Sequence, residues 1–178
     1  MLGLYYAPGA CSMAARVLLE EGGEKYEPIR LDLAKGEQRS EAYLKLNPPG
    51  RVPVLRLDDG TRSPRTRRYC PISASGSGCG PRMRWARRNC CAERILRGPD
   101  KVLKTFHGYL KDIDARLAGR EWFSNRYSAA DPYGLVFYAW GARRELPVGE
   151  LKNHGAFKDR MLQRPAVRRA LDDQQIKV

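Results

Sequence analysis

The sequence predicts a chain in two parts, an α/β domain followed by an all-α domain. The first 60 residues alternate short apolar strand patterns with helical patterns, in the order β-α-β-α-β. Beyond residue 99 the pattern is helical only, and apolar residues recur at steps of three and four: Leu103, Phe106, Leu110, Ile113 and Leu117. Between the two parts, residues 62–98 have no clean period and are rich in Arg, Ser, Gly, Pro and Cys.

Length and composition are those of a protein with a buried core. The 178 residues, 42% apolar and 30% charged, suit one domain or two small ones. No apolar run approaches the roughly 20 residues that span a bilayer, and no basic segment followed by a long apolar stretch opens the chain. We therefore expect a cytoplasmic protein that does not contact a membrane. Five cysteines, an odd number, favour free thiols over a disulfide scaffold.

The net charge of +13 is concentrated in one segment. Residues 62–97 contain ten arginines and one acidic residue, Glu93, together with four of the five cysteines. A strongly basic chain can bind nucleic acid. Because the excess belongs to one stretch rather than to the whole chain, we expect nucleic-acid binding only as the alternative function.

Residues 2–18 predict a strand, a tight loop and a cysteine at the start of a helix. The strand run ends at Ala7-Pro8-Gly9, Cys11 follows, and from Ser12 the pattern is helical. Unpaired N–H groups and the helix dipole favour an anion at such a position, so a thiol there tends toward the thiolate. The alternative is a small cysteine packed under the sheet.

Three further segments complete the predicted α/β domain. Residues 26–31 predict an edge strand, because Pro28 cannot donate to a ladder. Ser40 is placed to cap a short helix through Leu46. Val52-Pro53 opens a third strand and is a candidate cis peptide bond, and the turn at residues 58–60 would lead into a fourth, antiparallel strand.

The C-terminal part predicts helices after the first one. Ser128 and Asp131 form a variant of the capping box, in which the Ser hydroxyl accepts from the N–H three residues on and Asp131 reaches back to the cap. The apolar run 132–140 predicts a buried helix, and two shorter helices follow at 150–162 and 165–173. We expect Ser128 and Asp131 to have a structural role.

Two segments, YYAPGACSMAARVLLEEGG and LNPPGRVPVLRLDDGT, resemble the thioredoxin-like N-terminal domain of glutathione S-transferases, those of the bacterial beta class in particular. The segment DARLAGREWFSNRYSAADPYGLVFYAWG is similar to the helical domain of the same family. The resemblance implies the glutathione S-transferase fold, with a glutathione-binding domain at 1–80, aberrant over 62–98, and a shortened helical domain at 99–178. It also implies glutathione as co-substrate, a small-molecule electrophile, no metal, and a homodimer if the interface survives.

The resemblance assigns four residues to glutathione. Cys11 matches the active-site cysteine, which contacts glutathione or forms a mixed disulfide with it. Lys35 matches the lysine that reaches the glycine carboxylate. Val52 matches the residue whose backbone pairs with the cysteinyl part of the tripeptide as an added strand, and Pro53 matches the cis proline beside it. The implied function is conjugation of glutathione to electrophiles, a detoxification reaction, or glutathione-dependent thiol exchange at Cys11.

The chain departs from the family where a Glu-Ser pair should hold the γ-glutamyl end of glutathione. Arg65 and Thr66 stand there, so we expect impaired activity. Residues 62–98 have three interpretations: a basic arm for nucleic acid or a partner, a metal site, or a stretch translated in a shifted reading frame, which we favour. The cysteine spacing, Cys70, Cys79, Cys90 and Cys91, is not that of zinc sites.

His107 has nearly the number of an active-site histidine of the beta class. It lies only 21 residues before Ser128, whereas the family's histidine lies one helix earlier. We therefore predict that His107 is a residue on the flank of a helix and is not catalytic.

Overall fold

The computed structural model describes residues 1–58, 60, 100–176 and 178. The strands are β1 (Leu2–Tyr6), β2 (Tyr26–Arg30) and β3 (Val54–Arg56). The helices are α1 (Ser12–Glu21), α2 (Glu41–Leu46), α3 (Asp100–Leu117), α4 (Asp131–Arg143), α5 (Lys152–Gln163) and α6 (Pro165–Asp172). Short 3₁₀ turns precede α2 and α5.

The described strands form one mixed sheet in the order β2-β1-β3. β1 pairs in parallel with β2, with Leu4 opposite Pro28, and antiparallel with β3, with Leu4 opposite Leu55. The α1 helix returns the chain between the two parallel strands, as such a connection requires. The prediction that 26–31 is an edge strand is confirmed within the described sheet, where its proline needs no ladder donor.

The α1 helix lies between the sheet and the helical half. One face packs on the sheet through a cluster formed by Leu4, Tyr6, Ala15 and Leu19. The other face joins a larger core that continues into α3, α4, α5 and α6, with Met13, Ala14 and Val17 on the α1 side. Because the helix that begins beside Cys11 is buried on both faces, the helical half and the sheet together fix its position.

Ion pairs reinforce the contact between α1 and α6. Arg16 is only 5% exposed, and its guanidinium donates to Asp173 just beyond α6 and to the hydroxyl of Tyr26. Arg169 Nε donates to Glu20 at 3.0 Å. These pairs join residues about 150 positions apart in the chain.

The helical predictions are confirmed. The five apolar residues from Leu103 to Leu117 all lie on α3, with Phe106, Leu110 and Leu117 buried. The α4 helix is buried nearly all round, and Gly141 lets it approach α3, since a methyl group there would lie 2.7 Å from Leu110. No described helix is long and apolar enough to cross a membrane.

The predicted fourth strand and the aberrant segment 62–98 lie outside the described residues. The domain limits at 80 and 99 therefore stay predictions.

Candidate active site

The loop before α1 is closed by the side chain of Ser12. Its hydroxyl donates to Ala7 O at 3.0 Å and accepts from Ala7 N at 3.2 Å. Ala10 N also donates to Ala7 O, which completes the turn, and Gly9 has a positive φ of 69° that favours glycine. Cys11 is the N-cap residue of α1, so the prediction of a cysteine at a helix start is confirmed.

Cys11 and Val52, 41 residues apart, meet at the end of the sheet. The Cys11 thiol is 6% exposed, and its Sγ donates to Val52 O at 3.5 Å. The Val52–Pro53 peptide bond is cis, as predicted. A carbonyl oxygen has two lone pairs, so Val52 O can accept a second hydrogen bond beside the one from Cys11.

Two buried side chains hold the backbone before Val52. The Tyr43 hydroxyl and Asn47 Nδ2 both donate to Arg51 O at 2.7 Å. Burial raises the pKa of Tyr43 to about 12, so the hydroxyl remains a donor at neutral pH. Neither Tyr43 nor Asn47 was predicted from the sequence to act at this site; the run Asn47-Pro48-Pro49-Gly50 is typical of a loop but does not indicate which backbone atom the Asn47 side chain binds.

Lys35 lies in the exposed loop between β2 and α2. Its side chain is 76% exposed, and Nζ lies 3.9 Å from Asp32 Oδ2. The Asp32 carboxylate also accepts from the N–H groups of Ala34 and Lys35, which shapes the loop. The role of Lys35 toward the glycine carboxylate stays a prediction.

Trp140 connects the helical half to the Cys11 loop. Its Nε1 donates to Gly9 O at 2.8 Å, across 131 positions of sequence, and the side chain is 2% exposed. The apolar run 132–140 predicted its burial, but no local pattern indicated its partner. Through this hydrogen bond α4 fixes the loop that carries Cys11.

Asp131 caps α4 in a way that differs partly from the prediction. As predicted, its carboxylate reaches back and accepts from Ser128 N at 2.7 Å. The Ser128 hydroxyl, however, donates to Asp131 and accepts from Ala130 N, two residues on rather than three, because the helix begins at Asp131 itself. Asp131 also accepts from Phe123 N at 3.0 Å, so it holds the preceding loop as well as the helix.

The Asp131 carboxylate is fully buried. Burial raises its pKa above the usual range, and the hydrogen bonds from Phe123 and Ser128 oppose that rise. These contacts fit the structural role that we predicted for the pair.

His107 lies on α3 and shares no hydrogen bond with Cys11 among the described residues. Its Nε2 is buried without a hydrogen-bond partner there. The prediction that His107 is not catalytic remains a prediction.

Within the described ranges, no cluster of three or more His, Cys, Asp or Glu side chains could hold a metal ion. Arg65, Thr66 and the other four cysteines lie outside those ranges.

Comparison with known proteins identifies relatives for the whole chain. Residues 1–61 match the family described as "Glutathione S-transferase, N-terminal domain". The chain is 27% identical over 203 aligned positions to glutathione S-transferase GstA of Escherichia coli O157:H7, an alignment that covers 98% of this chain and 99% of that protein. Since the alignment is longer than the 178 residues of this chain, the relative contains positions that this chain lacks.

Solved glutathione S-transferase structures are similar in fold over nearly the whole chain. A sphingomonad glutathione S-transferase complexed with glutathione is 29% identical, with a TM-score of 0.75 over 98% of this chain and 100% of that one. A bacterial beta class enzyme from Sphingomonas chungbukensis is 28% identical, with a TM-score of 0.74 and the same coverage. The fold is therefore a thioredoxin-like domain followed by a helical domain, as predicted.

Proposed function

We propose that this chain, a homologue of the bacterial glutathione S-transferases, binds glutathione beside Cys11 and uses it in a transferase or thiol-exchange reaction. The observation that carries the proposal is the contact between Cys11 Sγ and Val52 O at 3.5 Å, at the start of α1. A free thiol thereby lies beside a backbone segment to which an extended peptide can add as a strand.

In the proposed binding mode, Val52 and Lys35 contact two different parts of glutathione. The peptide N–H and C=O of Val52 pair with the cysteinyl part of glutathione, and the cis bond to Pro53 presents them. The cation of Lys35, whose side chain is exposed, attracts the glycine carboxylate. The hydrogen bonds from Tyr43 and Asn47 to Arg51 O keep Val52 in register.

Two reactions are open to such a complex. In conjugation, the glutathione thiolate attacks an electrophilic carbon, a sulfur–carbon bond forms and the leaving group departs. In exchange with glutathione disulfide, the Cys11 thiolate attacks one sulfur, one glutathione thiolate leaves and a mixed disulfide remains.

Affinity is expected to be lower than a complete site would give. By the resemblance, Arg65 and Thr66 stand where a Glu-Ser pair would hold the γ-glutamyl end; Arg65 lacks the carboxylate, and a lost charge-assisted hydrogen bond costs about 1.5 to 3 kcal/mol, whereas Thr66 keeps a hydroxyl. The double variant Arg65→Glu/Thr66→Ser should therefore bind glutathione more tightly. Equal affinity in the two proteins would contradict this explanation.

Isothermal titration with glutathione, followed by mass spectrometry after incubation with glutathione disulfide, tests the proposal. The wild-type chain should bind glutathione and gain one glutathionyl group on Cys11, and Cys11→Ala should lose that adduct.

Lys35→Gln should weaken binding by about fivefold, the effect of roughly 1 kcal/mol. The matched control Lys111→Gln, an exposed lysine on α3, should leave binding unchanged. No heat of binding and no adduct would refute the function.

A homodimer, which the resemblance implies, and a cytoplasmic location, which we expect from the sequence, are part of this proposal. Binding of nucleic acid through the arginine-rich segment has no support in the comparisons. Retention on glutathione resin would favour the transferase function, and binding to DNA that weakens steeply with salt would favour the alternative.

A further inference from the structure

Arg143, the last residue of α4, lies directly over the Cys11 loop. A methyl group built on Gly9 would lie 2.6 Å from Arg143 Nη1, so the guanidinium lies against the backbone of Gly9. The positive φ of Gly9 is also a conformation that other residues rarely adopt. Because Gly9 has no side chain, the Arg143 guanidinium can occupy this position.

The charge of Arg143 is not neutralised within the described part of the chain. The residue is exposed, and no hydrogen bond or ion pair joins its guanidinium to a described side chain. Other arginines at the contact between the two halves are paired: Arg164 with Glu21 at 2.6 Å and Arg169 with Glu20 at 3.0 Å. Arg143 is therefore available to a ligand that approaches the loop.

The distance from this charge to the thiol is limited by the chain. Two residues of chain place the Cα atoms of Gly9 and Cys11 at most about 7 Å apart, and the reach of the two side chains adds up to about 7 Å, so Nη1 and Sγ lie within about 14 Å of each other. Charges interact across such a distance at low salt, where the screening length is about 30 Å at 0.01 M. The charge of Arg143 therefore acts on a charged molecule that approaches Cys11 from the side of α4.

Val52 is the group in contact with the Cys11 thiol on the sheet side. Its carbonyl accepts from Cys11 Sγ, and the proposed glutathione site uses the same backbone. The helical half reaches the loop at Gly9 instead, through Trp140 from within and Arg143 at the surface. An anionic group that lies between the Cys11 loop and α4 would therefore be close to the Arg143 guanidinium, which has no ion-pair partner among the described residues.

We propose that Arg143 is a specificity-determining residue that favours electrophiles with an anionic group, such as a carboxylate, close to the reacting carbon. The role of Arg143 in selecting substrates rests on the proposed function. The electrostatic effect of Arg143 on the reaction of Cys11 with a charged reagent does not require glutathione. A guanidinium suits a carboxylate because its planar donors match the two oxygens.

Alkylation of Cys11 by a matched pair of reagents tests the inference. In both reactions the thiolate attacks the methylene carbon, a sulfur–carbon bond forms and iodide leaves; iodoacetate is anionic and iodoacetamide is neutral. Rates are read by mass spectrometry on the peptide that contains Cys11, so the other cysteines do not contribute. The quantity compared is the ratio of the iodoacetate rate to the iodoacetamide rate.

The expected ratio falls by about three- to fivefold in Arg143→Gln, the effect of roughly 1 kcal/mol between single charges in water at short range. Arg143→Lys should keep most of the ratio, and Lys111→Gln, which changes the net charge equally, should keep all of it. Raising the salt should reduce the wild-type ratio toward that of Arg143→Gln. An equal ratio in wild type and Arg143→Gln, or an equal fall in Lys111→Gln, would overturn the inference.

Conjugation assays separate this inference from the proposed function. Chlorodinitrobenzene and its carboxylate derivative chlorodinitrobenzoate react with glutathione thiolate by the same displacement of chloride. If the wild type conjugates both, Arg143→Gln should lower kcat/KM for the carboxylate alone, and an unchanged preference would count against Arg143. If it conjugates neither while the alkylation ratio depends on Arg143, the transferase function fails and the charge selectivity at Cys11 stands.

Discussion

Trp140 of α4 donates a hydrogen bond from Nε1 to the carbonyl oxygen of Gly9 at 2.8 Å, two residues before Cys11. The bond crosses from the helical half to the α/β half, and the indole is 2% exposed. An indole N–H is a donor only and needs a partner when buried. The Gly9 carbonyl supplies it, so the position of the cysteine loop depends on a helix that lies more than 100 residues later.

Trp140→Phe should loosen this loop. The variant loses one hydrogen bond and part of the packed volume, so the free energy of unfolding should fall by about 1 to 3 kcal/mol in urea titrations. Alkylation of Cys11 by iodoacetamide should become faster, because the thiol is 6% exposed only while the loop stays closed. Trp122→Phe, which alters a half-buried tryptophan in another loop, is the control and should leave the alkylation rate unchanged.

Removal of the Asp131 carboxylate should be strongly destabilising. It accepts hydrogen bonds from Phe123 N, Ser128 N and the Ser128 hydroxyl at 2.7 to 3.0 Å, in a fully buried place. We expect Asp131→Ala to lower the free energy of unfolding by about 2 to 4 kcal/mol, since buried donors lose their partner. Ser128→Ala should cost only about 1 kcal/mol. Equal losses in the two variants, measured by chemical denaturation, would show that the carboxylate is not the main element of the cap.

Stability should decrease at acidic pH because of His154. This residue is fully buried, its Nε2 donates to Gly134 O at 3.0 Å, and its Nδ1 has no hydrogen-bond partner within the described residues. Burial lowers the pKa of His154 below the ordinary 6.5, and the contacts with Gly134 and Asp114 oppose that change. As the pH falls through about 6.5, the unfolded chain binds a proton that the folded chain does not, so unfolding becomes easier.

The measurement for His154 is the free energy of unfolding between pH 8 and pH 5, by urea titration at each pH. The loss should steepen below about pH 6.5 toward a limit of roughly 1.4 kcal/mol per pH unit for one proton. His154→Leu should flatten that part of the curve. His107, the other histidine, stays in both proteins, so the difference isolates His154. Parallel curves for the two proteins would rule out this source of acid sensitivity.

Arg16 and Asp173 should behave as a coupled pair. The Arg16 guanidinium is buried and donates to Asp173, whose side chain is 55% exposed, and to the Tyr26 hydroxyl. Asp173→Ala leaves a buried cation with one partner fewer, and we expect a loss of about 1 kcal/mol, limited by solvent access. Arg16→Ala also removes packing against Tyr6 and should cost about 2 to 4 kcal/mol.

A double-mutant cycle tests this coupling. The variant that carries both Arg16→Ala and Asp173→Ala should be about as stable as Arg16→Ala alone, since the carboxylate has no partner once the cation is gone. Additive losses in the free energy of unfolding would mean that the two side chains do not interact in solution.

Local sequence patterns were sufficient to predict the secondary-structure elements and part of the candidate site. A short apolar run predicted β1, spacings of three and four residues predicted α1 and α3, and a continuous apolar run predicted α4, all close to their observed bounds. The start of α1 at Cys11 also follows from a short motif, whereas the cis bond at Val52–Pro53 was a candidate that the family resemblance implied. Local reasoning was less accurate at Ser128, whose hydroxyl bonds Ala130 rather than the residue after it, because the exact first turn of α4 decides that partner.

The sequence by itself thus determined which segments are strands and helices and where the cysteine lies, and the family resemblance implied which peptide bond is cis. Those properties depend on residues only a few positions apart. The tertiary structure alone decided that Tyr43 and Asn47 hold Arg51 O, that Trp140 holds Gly9 O and that the guanidinium of Arg143 covers Gly9. The contacts of Trp140 and Arg143 with the loop depend on how α4 docks beside α1, because a side chain shows which bonds it can form but not which distant atom packing will bring to it.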